Sequence, residues 1–169
     1  MQEQKQSQKL DYKKMSTFQN IENDSNIQQT IKNTFDVELS LEGSWGYTKE
    51  YASIIKSIQN NMPLNQLEHM ITTMRAHMEM NLTQVKENRY GAINANEKSR
   101  EKIQENSLIY DKVTYEVTAI KEDLFKKFIL EYKEGYEKES FDLNAHFKRR
   151  KEATLTRETI HYFEISNIQ

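Results

Sequence analysis

The chain has 169 residues, with 24 basic against 26 acidic side chains, a formal net charge of -2 and 0 Cys. Disulfides, thiolate metal sites and a cysteine nucleophile are therefore excluded. With 4 Gly and 1 Pro, the phosphate-loop patterns G-x-x-x-x-G-K-[ST] and G-x-G-x-x-G do not occur, and G-x-S-x-G and H-E-x-x-H are absent too. The near balance of charge exerts no global pull on nucleic acid. No apolar run approaches the ~18 residues of a membrane span, and Met1 to Leu10 lacks the apolar stretch of a secretory signal. A cysteine-free chain of this kind fits a reducing, cytoplasmic setting.

Residues 1–24 are polar and weakly patterned and are predicted to be a disordered tail, leaving 25–169 as a single globular domain. Ile27 and Ile31 lie four apart, the spacing of a short helix. Phe35, Val37, Leu39 and Leu41 then alternate with polar residues, the period of a half-buried strand. Gly43 and Gly46 flank Trp45 in the turn that ends it. Thr48 next offers an N-cap for a helix bearing Tyr51, Ile54, Ile55 and Ile58. Asn60, Asn61 and Pro63 close that helix, and Asn65-Gln66-Leu67-Glu68 resembles a capping box for the next one. Leu67, Met70, Ile71, Met74, Met78 and Leu82 form its apolar face, so the two helices are expected to pair as a hairpin.

Residues 83–107 are dense in charge and poor in apolar side chains, which predicts a long charged loop. Val113, Tyr115, Val117 and Ala119 alternate as a second strand. The period then becomes helical through Phe125, Phe128, Ile129, Tyr132 and Tyr136, with Gly135 near the end. A shorter helix follows from Asp142, with Leu143, His146, Phe147 and Arg150 on one side. In the final stretch, 154–165, a strand places Leu155, His161, Phe163 and Ile165 on one face; a continued helix is the other reading. The predicted class is α+β: a small antiparallel sheet of about three strands covered by two helical hairpins. An all-α bundle is the alternative.

Chemistry-bearing residues are few. His69 and His77 stand eight apart on one helix, about 12 Å along its axis, too far to share a metal. No metal site or cofactor is predicted. His77, Glu79 and His161 are the acid–base candidates, since imidazole titrates near neutrality. His161 faces inward if the last segment is a strand, where Tyr115 or Glu116 would be candidate partners. His146 lies on the last helix. Trp45 and Tyr47, on a glycine-flanked turn, suit ligand stacking or a partner anchor, or Trp45 folds inward as a lid on the core. Arg89 and Tyr90 are the natural anchors if the 83–107 loop closes on a partner. Lys148, Arg149, Arg150 and Lys151 form the one dense basic run, a candidate anion site, though consecutive helical residues point around the cylinder.

These features favour a non-catalytic binding or interaction domain acting on a protein partner or through self-association, with an exposed strand edge as one route. A small enzyme using a histidine and a carboxylate as acid and base is the alternative. A nucleic-acid-associated accessory protein is the third reading, against which the net charge weighs.

Overall fold

The computed structural model describes residues 18–22 and 26–168. Among them are four α-helices and one five-stranded mixed sheet in the order β1-β2-β5-β4-β3. The strands are β1 (Ser40–Gly43), β2 (Ser53–Ser57), β3 (Tyr90–Glu105), β4 (Leu108–Lys121) and β5 (Leu155–Glu164); the helices are α1 (Ile27–Phe35), α2 (Leu64–His77), α3 (Glu122–Gly135) and α4 (Leu143–Ala153). Only the β2/β5 pair is parallel; β1/β2, β3/β4 and β4/β5 are antiparallel. The α+β class holds, with five strands instead of about three and a mixed sheet instead of a wholly antiparallel one.

Three elements differ from the sequence expectation. Phe35 ends a helix instead of opening a strand. Asn26 caps α1 by accepting a hydrogen bond from the Gln29 amide (3.1 Å), and Asp36 stops it in the left-handed region at φ 55°. Thr48 does accept a bond from the Tyr51 amide (3.3 Å), but it makes a single turn. Beyond it Ile54 and Ile55 enter β2, where successive side chains point to opposite faces, Ile55 into the core. The hairpin expected of helices at 48–82 is therefore replaced by β2 followed by α2. The predicted loop at 83–107 is mostly β3, joined to β4 by a two-residue turn at Asn106 and Ser107, both with positive φ. β3 is an edge strand, and its charged side chains suit an edge that must resist pairing with other chains.

Helix α2 lies across the inner face of the sheet. Pro63 occupies its cap position and no side chain among the described residues caps it, so the expected box at Asn65 does not form; Glu68 is buried instead. Leu67, Ile71 and Met74 reach the core as expected. A π-helical turn, Met78–Leu82, then adds a residue to the winding, so Met80 is buried while Leu82 is exposed. The inner face of the sheet supplies Ile55, Val113, Tyr115, Val117, Leu155 and Phe163. Phe18 and Ile21, from the predicted tail, pack against the same core; residues 1–17 and 23–25 of that tail lie outside the described residues. Helices α3 and α4 form a hairpin against β3 and β4, with Asp142 capping α4 by accepting from the Ala145 amide (3.0 Å). Among the described residues no helix is long and apolar enough to cross a membrane.

Candidate functional site

Four polar residues recur along α2 and its π-turn at helical spacing: Glu68, Thr72, Arg75 and Glu79, all buried against the inner face. Each is engaged there. The Ser53 hydroxyl donates to the Ser44 carbonyl (2.7 Å), so it accepts from His161 Nε2–H (2.9 Å). His161 Nδ1 then accepts from the Thr72 hydroxyl (2.9 Å), and the ring stacks on Phe163 with centroids 4.0 Å apart. This network assigns the neutral Nε2–H tautomer. Burial, followed by the Arg75 charge, holds the imidazole well below the ordinary histidine range. An imidazole whose proton already points at Ser53 cannot remove the proton of Ser53. The expected partners Tyr115 and Glu116 are not those it uses.

The Arg75 guanidinium donates to the Trp45 carbonyl (2.9 Å), the Thr159 hydroxyl (3.0 Å) and the Ile160 carbonyl (2.8 Å), and lies 4.5 Å over the Tyr47 ring. The Tyr47 hydroxyl donates to Glu79 (2.7 Å) and accepts from the Ile21 amide (3.1 Å). Arg157 pairs with the other Glu79 oxygen at 2.5 Å. Sequence candidates Trp45, Tyr47, Glu79 and His161 thus do converge, but in a packed interior. Trp45 is a core residue with 0% exposure, not a surface platform.

A second buried group ties α2 to the long hairpin. Arg100 of β3 bridges Glu68 (2.8 Å) and Asp111 (3.1 Å) and also pairs with Glu97. Burial, reinforced by the neighbouring Asp111 carboxylate and opposed by Arg100, pushes the Glu68 carboxyl up to about 8.

The remaining sequence candidates scatter. His77 lines a shallow apolar groove with Phe35, His69 and Met70, and partial burial lowers its pKa; His69 donates to the Ala95 carbonyl (2.7 Å). Tyr90 is buried between Phe18 (5.4 Å) and the Lys121 ammonium (4.8 Å), and the half-buried Arg89 donates its Nε–H to the Gln84 carbonyl (3.1 Å). In α4, Arg149 grips Glu131, Arg150 lies over Phe125 and Phe147, and Lys148 and Lys151 are exposed. His146 is buried among Phe128, Tyr132, Phe141 and Phe147 with Nδ1 3.1 Å from Glu131. Arg149 first, then His146, holds the Glu131 carboxyl down at about 2.

The outer face differs. The strand register sets Ile54, Glu164 and Tyr110 side by side across β2, β5 and β4, on the face away from α2. The bend between β1 and β2 folds over this row and leaves a cleft of about 380 Å³. Tyr51, which is 50% exposed, and Leu108 stand at its rim. Glu164 is only 8% exposed, and its Oε2 has no hydrogen-bond partner among the described residues. Lys49 also borders the cleft, but its ammonium is held by Glu105. None of these residues stood out in the sequence as a site; Tyr51 and Ile54 read only as part of an apolar helical stripe. Alternation in β5 puts Glu164 opposite in facing to His161, and only the pairing with β2 and β4 shows what lies beside it.

Among the described residues no three histidine, aspartate or glutamate side chains gather as a metal-binding group. No protein family, curated protein or solved structure matches the chain.

Proposed function

We propose that the chain is a non-catalytic binding domain and that its ligand enters the cleft on the outer face of the sheet. The observation that carries this reading is the contrast in occupancy. Histidines and carboxylates capable of acid–base work are consumed by internal hydrogen bonds or spread over separate places. Glu68 Oε2 and His146 Nε2 are also unpaired among the described residues, but neither residue lines this cleft, which combines apolar walls with the buried and partly unpaired Glu164 carboxylate, the composition expected of a small-molecule site. Its volume falls at the lower end of the range for ligand pockets, so the bound group is small. A cytoplasmic location is part of the proposal and fits the count of 0 Cys.

A protein-observed NMR screen of small polar fragments tests it. Amide shifts should cluster on Gly43, Ala52, Ile54, Leu108 and Tyr110. Hits that gather around His146 and Glu131, or in the groove beside His77, would move the site elsewhere and end this reading.

A further inference from the structure

We infer that the cleft takes an organic cation, a primary ammonium on a short aliphatic chain, with its charge at Glu164 and its chain against Ile54, Leu108 and the rings of Tyr51 and Tyr110. This rests on the proposal that the cleft is the binding site. Glu164 supplies the electrostatic reason. A neutral ligand, even one with a hydroxyl to donate, would leave the charge of the buried Glu164 carboxylate unopposed, and an anion would meet like charge. The one lysine on the cleft wall does not fill the role, since Lys49 is taken by Glu105.

The local field has the matching sign. The Tyr110 phenol is raised above its ordinary value by burial, then by the charges of Glu164 and Glu105, with Lys49 opposing and Glu50 adding. A bare metal ion fits poorly, because among the described residues no three ligating side chains meet. An ammonium needs fewer: one carboxylate, a second polar acceptor and aromatic faces, and two tyrosines line the space.

Titration of the full chain at fixed ionic strength with n-butylammonium, n-butanol and butyrate, on the parent protein and on Glu164→Gln, tests the inference. The expected result is binding of n-butylammonium at least about tenfold tighter than the alcohol or the acid, with that preference lost in Glu164→Gln. Shifts at the cleft residues report the site. Equal binding of ammonium and alcohol, or an unchanged preference in Glu164→Gln, overturns the cation assignment and leaves the cleft standing as a site. No shift at the cleft with any of the three probes overturns both. Should Glu164→Gln fail to fold, Tyr51→Ala at the exposed rim must weaken the ammonium several-fold more than the alcohol; equal weakening overturns the assignment. A parallel titration with Nα-acetyl-lysine amide separates the sources. Binding comparable to n-butylammonium supports a lysine side chain of a partner, and binding of n-butylammonium alone supports a free amine.

Discussion

His161 and Glu164 lie three residues apart on β5, on opposite faces of one sheet, and both are buried. His161 makes two hydrogen bonds, to Ser53 and Thr72, and stacks on Phe163. Glu164 retains an oxygen without a partner among the described residues and borders a cleft. The difference follows from what covers each face. Across the inner face lies α2, a helix that brings its own polar stripe, whereas a single bend overhangs Glu164. Burying a polar group without a partner costs roughly 1–3 kcal/mol; among the described residues Trp45 Nε1, Glu68 Oε2 and Tyr115 Oη bear that cost inside the core, whereas Glu164 Oε2 bears it on a side chain that borders a cleft. A histidine in a protein interior therefore says less about function here than a glutamate at its edge.

Breaking the inner network should have the largest effect. Arg75→Met strands the Trp45 and Ile160 carbonyls and removes the cation over Tyr47. A loss of ~3–5 kcal/mol in urea unfolding is expected, and a loss below about 1 kcal/mol would mean that water or a relaxed backbone replaces it. Gly46→Ala comes next. Gly46 has φ +76°, and a Cβ there would lie 2.1 Å from His161 Cδ2 and 2.7 Å from the Tyr162 carbonyl. Strain plus displacement of the imidazole should remove ~2–3 kcal/mol. An unchanged midpoint would show that the His161 pocket is looser than its hydrogen bonds imply.

The sequence foretold the inner face better than the outer. Strand β4 was legible because Val113, Tyr115 and Val117 alternate with polar residues, and the same alternation in β5 correctly turned His161 inward. Asp142 marked the start of α4. Strand β3 was not legible, because an edge strand facing solvent has no apolar set to alternate, and Ala95 and Tyr90 are its only buried residues. Ile54, Ile55 and Ile58 fit helical spacing as well as strand pairing, and only contact with β1 and β5 decides between them. The stripe Glu68, Thr72, Arg75 and Glu79 has a clean helical period, but polar residues at that period read as a solvated face. Glu164 needed the register of three strands before its neighbours could be named.

Proton linkage sharpens the comparison within the inner face. Glu68 holds its proton to about pH 8 in the fold, against an ordinary value of 4.5. The folded state therefore binds more protons across that window, and stability falls as pH rises through it. His161 acts with the opposite slope. Its pKa is depressed by folding, so stability is lost as pH falls below the unfolded value of ~6.5. Between pH 6.5 and 8 Glu68 acts with little opposition from His161. The unfolding free energy from urea titrations should fall there by at most ~1.4 kcal/mol per pH unit, and Glu68→Gln should flatten that limb while keeping the acid-side loss. A parent limb already flat between pH 6.5 and 8 would place the Glu68 proton in solution.

The smallest expected effect lies on the outer face. Glu164→Gln removes the charge from a group that has no ion-pair partner among the described residues and keeps its shape, so no described ion pair is broken. Stability should stay within about 0.5 kcal/mol of the parent or rise slightly, since a neutral amide is less costly to bury than a carboxylate. The same change of charge at Glu79, which holds Arg157 and Tyr47, should destabilise markedly. Paired unfolding curves of Glu164→Gln and Glu79→Gln put the two faces on one scale. A Glu164→Gln loss as large as that of Glu79→Gln would mean that the outer carboxylate has an internal partner, and the cleft would then have no vacant charge to offer a ligand.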